Sequence, residues 1–396
     1  MAAKIKIAIL SNIPLHSGMS GKVQELKNII DFLWSKDAEI AVFSLSSKMT
    51  VYKEDKYIER EFQDASLKYR SLLNPASHLA ILLLNFKVDN YISNRNINMI
   101  RALVDFDPDV IILGTFLLAG ILQRVLNGSG KKIKVISTFD SPAVIDNFTA
   151  PIYQKLHGKI PEPALRQYIR NYKKYNMKLY NETLKASDFL VLPTELDMNA
   201  ASHAFPEQEK KIIYVPKQFV RSDVKAGRIR RSIKTIAFFG NYAYPPNRSA
   251  IEDIAKYIAP RLPEKKFIVF GNGCPVKKIS NIEYLGAVEN QYDVLRDVDL
   301  CIAPLSIGSG FKVKILDYFT MHKAVIGTDI AFQGFHVANH KNAIIENDIK
   351  KYPEVIRNLE KNKKRFYNMQ KASHSAVEEF DKGKISAKWK RLVSVR

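Results

Sequence analysis

The chain predicts an α/β protein built from two open, mostly parallel sheets in series. Three observations carry that expectation. Short runs rich in β-branched residues alternate with helical patterns almost throughout, as in a parallel sheet with covering helices. The alternation stops at Val220–Lys234 and then restarts. A length of 396 residues exceeds what one ordinary core accommodates, so two domains are expected.

Ile5–Leu10 reads as the first strand, followed by the loop Ser11–Gly21 and a helix at Lys22–Ser35. In that helix Val23, Leu26, Ile29, Ile30 and Leu33 recur at helical spacing. Glu39–Ser44 is a strand, then comes a mixed stretch, and Asn96–Val104 is a helix. Val110–Leu113, Ile133–Thr138 and Phe189–Leu192 are strands. Between the last two, Ala164–Lys185 is a basic, tyrosine-rich helix. Leu165, Tyr168, Ile169, Tyr172, Asn176 and Leu179 form one stripe, with Arg166, Arg170, Lys173 and Lys174 elsewhere on its circumference. A helix docked on a sheet with a wet basic side accounts for this better than a membrane-surface helix.

Val220–Lys234 is short of large apolar residues and carries six basic side chains against one acid, as a connection between domains does. Beyond it, Thr235–Phe239, Lys266–Phe270, Ile282–Tyr284, Leu300–Ala303 and Ala324–Ile326 read as strands. Helices are expected from Ser249 to Ile258, Gln291 to Val298 and Phe311 to His322, and the tail from Ile349 is helical and polar. Open sheets of this kind bind ligands at the carboxyl ends of their strands, and two joined by a linker can face each other across a cleft.

A hydrophobic content of 46% with 26% charged residues is that of a globular protein. The longest apolar run, Leu79–Phe86, is too short to span a bilayer. Lys4–Leu10 already reads as core, so no signal peptide is expected. Cys274 and Cys301 lie far apart and read as small apolar fillers, which points to a reducing, cytoplasmic setting. The formal net charge of +21 favours an anionic partner: nucleic acid, an acidic membrane surface or a phosphate-bearing substrate. A lysine-rich solvated surface explains it equally well.

The chemistry concentrates in Pro304–Phe319 (PLSIGSGFKVKILDYF). Gly308, Ser309 and Gly310 sit after a strand and before a helix, where small residues allow a tight turn and leave N–H groups open. The helix start adds unpaired N–H groups and a positive dipole end, and Lys312 adds a full charge in the first turn. Such a junction receives an anion, and a diphosphate suits it. Lys314 cannot share the face of Lys312 but can reach around the helix end. Asp317 could accept hydrogen bonds from the two hydroxyls of a ribose. Spacing by itself favours a Lys314–Asp317 ion pair at i, i+3, worth about 0.2–0.5 kcal/mol.

The run APLSIGSGFKVKILDYFTMHKAVIGT, residues 303–328, resembles the donor-site signature of GT-B glycosyltransferases, specifically glycosyltransferase family 4. IAFFGNYAYPPNRSAIEDI, FIVFGNGCP and IEYLGAVEN are similar to successive family stretches, and order and spacing hold from about 235 to 335. The N-terminal half resembles the family less sharply, through IAILSNIPLHSGMSGKVQELKNIIDFL, VISTFDSP and ASDFLVLPTELD. The resemblance implies GT-B architecture, α/β, with two Rossmann-like domains facing each other across a cleft. Residues 1–218 would form the acceptor-side domain and 219–375 the nucleotide-sugar domain, with a linker at about 219–234. Residues 376–396 would form a helix packing back on the first domain.

It also implies retaining transfer from a UDP- or GDP-sugar to a glycan or lipid-linked acceptor, with no metal and no cofactor beyond the donor. The diphosphate leaving group would be stabilised by amides, helix dipole and lysine. By the family pattern Asp317 matches the ribose-binding acid and Lys312 a basic residue near the diphosphate. Gly308, Ser309, Gly310 and Phe311 would offer the amides, with Gly240, Asn241 and Gly271 beside the nucleotide. Gly18, Ser20 and Gly21 would form the acceptor-side loop. Asp140 and His16 would join Lys312 as catalytic candidates. Asp140 could orient an acceptor hydroxyl, act as base or cap the turn before Pro142; His16 could contact phosphate, contact an acceptor or face solvent. Glu195 after its strand has the same two readings, function or cap.

Four positions depart from the commoner pattern. Ser309 stands where many members have glutamate, and Asp317 is shorter than glutamate by a methylene. The loop after Gly240 lacks an Arg/Lys pair, leaving Arg248 as the nearest cation, and Lys217-Gln218 replaces a frequent Asn-Gly. These read as branch features before lost activity. Gly271-Asn272-Gly273 is not a dinucleotide fingerprint, because a third glycine and a following helix are missing. It reads as a turn beside the base. A non-catalytic protein binding nucleic acid or acidic membrane through its basic surface is the rival reading. Nucleic acid is not expected, since the aromatic spacing of a stacking platform is missing. A basic face could instead draw a lipid-phosphate acceptor to the inner membrane surface, with the protein peripheral there.

Overall fold

The computed structural model describes residues 4–15, 21–46, 51–63, 96–139, 141, 142, 145, 161–220, 224, 227–308 and 311–394. The chain divides into two compact units. One comprises the residues up to Lys217 together with those from Ile385 on, and the other Gln218–Lys384.

The first unit is an eight-stranded sheet in the order β3-β4-β2-β1-β5-β6-β7-β8. Its strands are β1 (Ile5–Ser11), β2 (Ala38–Ser46), β3 (Val51–Glu54), β4 (Tyr57–Gln63), β5 (Val110–Leu113), β6 (Lys134–Ser137), β7 (Phe189–Leu192) and β8 (Ile212–Tyr214). Only β3–β4 pairs antiparallel. Central strands covered on both faces read as continuous apolar runs, as in β5, where all four residues are buried. Helices α1 (Gly21–Leu33), α2 (Ile97–Phe106), α3 (Ala119–Gly128), α4 (Glu162–Ala186) and α5 (Glu195–Ala204) accompany them. Leu165, Tyr168, Asn176 and Leu179 of α4 are buried while Arg166, Arg170 and Lys174 are exposed, so this helix docks by its stripe. The chain returns to this unit as the later part of the helix Lys382–Val393, which buries Ile385 and Trp389 and ties Ser386 Oγ to the Phe32 carbonyl at 2.8 Å.

Several elements were not legible in the sequence. The mixed stretch contains the β3–β4 hairpin. Its inner positions carry acids: Glu59 is fully buried, and its Oε1 accepts from the Leu15 N–H (2.8 Å) and the Ser44 hydroxyl (2.7 Å). Carboxylates at core positions erase the apolar alternation. Helix α5 mixes polar residues with small and exposed apolar ones, burying only Ala201, and Glu195 opens it behind the N-cap Thr194, whose hydroxyl accepts from the Asp197 N–H. Glu195 is exposed in the helix's first turn. The run Leu79–Phe86 lies outside the described residues.

The second unit is a seven-stranded sheet, β11-β12-β10-β9-β13-β14-β15. Its strands are β9 (Thr235–Phe239), β10 (Lys266–Phe270), β11 (Val276–Ile279), β12 (Ile282–Leu285), β13 (Leu300–Ala303), β14 (Ala324–Gly327) and β15 (Ile344–Ile345). The edge strand β11 is antiparallel and wholly exposed, so it carries no hydrophobic signal. Helices α6 (Pro245–Asp253, continued by one π turn to Ile258), α7 (Gln291–Arg296) and α8 (Val313–Thr320) follow their strands. Among the described residues no helix is long and apolar enough to cross a membrane.

The strand order fixes where ligands go. From β9 the chain steps to β10 and β12 on one side, then returns to place β13 on the other. The order reverses at β9/β13, the place where open α/β sheets bind ligands, outside the carboxyl ends of the strands. In the first unit the same reversal falls between β1 and β5.

Candidate functional site

Three loops are drawn together at the carboxyl edge of the second sheet. The Gly240 N–H donates to the Phe270 carbonyl, Tyr242 N–H to Asn272 O (2.8 Å) and Gly271 N–H to Gly286 O (2.8 Å). Gly271 adopts φ 136°, and a Cβ there would stand 2.2 Å from the Gly240 carbonyl oxygen. Only glycine permits that backbone and that approach. Gly271–Gly273 is accordingly a turn, with Gly273 also at positive φ.

The β13–α8 loop approaches the same edge. Gly308 has φ 130°, and a Cβ on it would lie 3.7 Å from Pro246 at the start of α6 and 3.8 Å from Lys312 Cε. Helix α8 begins at Val313, two residues later than expected. Phe311 turns its ring onto Phe335 and Phe380 (centroids 4.6 and 5.1 Å), and Lys312 is the N-cap with extended backbone. Lys312 therefore precedes the first turn, and its Nζ reaches Gln333 Oε1 at 3.5 Å.

Lys314 does occupy the first turn, and it does not pair with Asp317. Its Nζ donates to Asn247 Oδ1 at 2.6 Å and lies 4.1 Å from the centroid of the Phe238 ring. Asn247 in turn donates from Nδ2 to the Asn241 carbonyl (2.9 Å) and packs its amide where a side chain on Gly240 would go. Burial, with the Lys312 charge as a second cause, pushes the Lys314 ammonium down to about 7. Asp317 is 5% exposed. Its Oδ1 accepts from the Tyr292 hydroxyl at 2.6 Å and its Oδ2 from Gln291 Nε2 at 3.4 Å, both from α7. Three residues apart on one helix, Lys314 and Asp317 are held by different neighbours, and the weak i, i+3 attraction does not overcome that.

Gly240, Asn241, Gly271, Gly308, Phe311, Lys312 and Asp317 thus all belong to the second unit's carboxyl edge or the helix leaving it. Asn247, Gln291 and Tyr292 join them without having been singled out. Asn247 had a signal, the Pro-Pro-Asn run; Gln291 and Tyr292 had none, since α7 comes to Asp317 only through the fold. Of the acceptor-side candidates, Gly21 opens α1. His16, Gly18, Ser20 and Asp140, together with Ser309 and Gly310, lie outside the described residues.

At the carboxyl edge of the first sheet the structure adds a residue that had been noted only as a departure. Lys217 is 1% exposed, with Nζ 2.9 Å from Glu25 and 2.6 Å from the Thr138 carbonyl. The Asn28 amide donates to its backbone oxygen. Among the described residues no group of three or more His, Cys, Asp or Glu is arranged to hold a metal ion.

The chain thus holds two α/β sheets, the second carrying a glycine-turned, lysine-bearing junction at its switch point. Residues 233–362, most of the second unit, match the family model described as glycosyl transferases group 1. No curated protein matches the chain. Solved structures match it over nearly its whole length. Sucrose-phosphate synthase from Thermosynechococcus elongatus superimposes at TM-score 0.67 with 10% identity, covering 98% of each chain. A glycosyltransferase from Rickettsia africae gives 0.63 at 12% identity, covering 99% of this chain and 100% of that one. Anabaena HepE, solved with UDP and glucose, gives 0.62 at 11% identity over 99% and 100%. At such identity the likeness is one of fold.

Proposed function

We propose that the protein is a retaining glycosyltransferase that takes a nucleotide-sugar in its second unit and transfers the sugar to a hydroxyl acceptor held by the first, without a metal. The observation that carries this reading is one strand-to-helix junction. It combines the positive-φ Gly308, the helix α8 start and the cations Lys312 and Lys314, next to the glycine-lined loops of β9 and β10.

As the sugar departs, negative charge grows on the diphosphate. The backbone N–H groups of Gly308 and Phe311, the dipole of α8 and Lys312 meet that charge, which lowers the barrier because they bind it most strongly when it is largest. Asp317, pre-oriented by Tyr292 and Gln291, retains acceptor capacity for the ribose hydroxyls. Gly240, Asn241 and Gly271 line the nucleotide. The resemblance assigns Asp140 and His16 to the acceptor hydroxyl, and Gly18, Ser20 and Gly21 to the acceptor side. HepE, whose structures were solved with UDP and with UDP-glucose, supports UDP as the nucleotide. The net charge of +21 supports a lipid-phosphate acceptor met at an anionic membrane surface.

A panel of UDP- and GDP-sugars tested by thermal shift identifies the donor, since a bound donor raises the melting temperature by mass action. The anomeric configuration of the product then reads retention, and unchanged turnover in EDTA reads metal independence. If no nucleotide-sugar binds or is consumed, the reading is wrong. Lys312→Ala and Asp317→Ala weaken donor affinity, and unchanged affinity removes those two roles. Co-sedimentation with anionic liposomes at low salt tests the membrane surface.

A further inference from the structure

Lys314 is the unusual cation of this edge. Among the described residues no carboxylate pairs with it: its neighbours are the Asn247 amide oxygen and the Phe238 ring. An ammonium in such surroundings keeps little of its hydration and gains no full opposite charge in exchange. Of its three N–H donors one serves Asn247, so donor capacity remains. The charged groups on the elements around it are few. Lys312 precedes it and repels it, and Asp317 on the same helix is engaged by Tyr292 and Gln291. On α6, Arg248 lies over the Tyr242 ring, while Glu252 and Asp253 stand five and six residues beyond Asn247. Strand β9 carries no charged residue.

From this geometry we propose that donor binding is coupled to uptake of one proton at Lys314. In alkaline solution the free site holds the neutral amine, and the arriving diphosphate binds together with a proton from solvent that converts it to the ammonium. No other bond changes. This rests on the donor-site reading above and adds its regulation by pH. Asn247 is the positioning residue, holding the amine beside the Gly240 loop.

The sign follows from linkage. An anion stabilises the charged form, so the folded-state ammonium, at about 7 in the free protein, rises when the donor is bound. Affinity is full below the free value and falls as pH climbs towards the bound value, on the order of tenfold per pH unit. From pH 7 to pH 9 the loss is about 50-fold, since half the sites are already neutral at pH 7.

The test is calorimetric titration of the full-length protein with UDP-glucose and GDP-mannose at pH 6, 7, 8 and 9, in buffers of different ionisation enthalpy. The diphosphate of these donors does not titrate in that range. The expected result is close to one proton taken up per donor at pH 8 and almost none at pH 6. Lys314→Arg, which keeps its charge at every pH used, binds with no proton uptake and no fall to pH 9. Lys314→Met binds weakly at all pH values, and Lys312→Met binds more weakly than wild type but keeps the pH dependence. Binding without proton uptake, or uptake that persists in Lys314→Arg, overturns this inference and leaves the donor site standing. Absence of binding by every nucleotide-sugar overturns both.

Discussion

Two lysines, one buried and one half-buried, stand at the carboxyl edges of the two sheets, and they are treated in opposite ways. Lys217 in the first unit meets the carboxylate of Glu25 and the Thr138 carbonyl. Lys314 in the second meets an amide and an aromatic ring. Both units reverse strand order, so both have a crevice by topology. The difference lies in the electrostatics. One unit neutralises its cation from within and gains a fixed edge; the other sets its lysine against an amide and a ring, with no carboxylate on it among the described residues. On the proposed reading an anionic donor is matched to the second unit, while Lys217 in the first is held by Glu25 and Thr138.

That comparison can be broken first at Lys217. Lys217→Met leaves the Glu25 carboxylate in a largely buried position without its partner, and losses of about 3–5 kcal/mol are usual for such half-removed pairs. Chemical denaturation is expected to show the first unit unfolding early. A midpoint equal to wild type would mean the pair contributes nothing. The next largest effect is at Gly271→Ala. The new Cβ collides with the Gly240 carbonyl, and the positive φ is strained for any L side chain, so a loss of about 1–3 kcal/mol is expected. Donor affinity should fall with it, because the β9 and β10 loops separate.

Tyr292→Phe removes a hydroxyl from a buried carboxylate and costs about 1–3 kcal/mol. It should weaken donor affinity less than Asp317→Ala does; equal losses would show that Tyr292 itself touches the ligand. The smallest effect has the opposite sign. Lys314→Met is expected to raise the melting temperature of the donor-free protein at neutral pH and below, by about 1 kcal/mol or less at this partly exposed site.

The pH dependence of folding sharpens the same contrast. The unfolded Lys314 stays protonated up to the ordinary value of 10.5, whereas the folded one sheds its proton near 7. Between those values the unfolded chain holds more protons, so the Lys314 contribution rises with pH across that window. Below about 7 both states are protonated and the cost of the buried charge is present in full. Melting curves from pH 6 to 9 for wild type and Lys314→Met should differ most at the acid end and converge at the alkaline end.

Much of the architecture was legible because central parallel strands are apolar along their whole length. Strands β5, β7, β9, β10 and β13 occupy the residues expected of them, since nothing but burial on both faces explains runs such as VIIL or LCIA. The same rule explains the failures. Strand β11 is solvent-exposed at the edge, and β4 seats Glu59 and Glu61 at buried positions, so neither shows a pattern to find. Within the site, the glycine turns and the lysines announced an anion, because small residues and fixed charge act locally, within a few residues.

What the sequence determined by itself was the alternation of elements, the junction at Gly308–Lys312 and the cationic character of its helix. What only the tertiary structure decided was which groups those cations meet. Lys314 and Asp317 lie close enough along α8 to pair, yet one is captured by Asn247 across 67 residues and the other by Tyr292 across 25. Spacing along a helix sets which side chains can approach one another. The free energy of burial sets which do, and it depends on neighbours delivered by strand order, which no local pattern encodes.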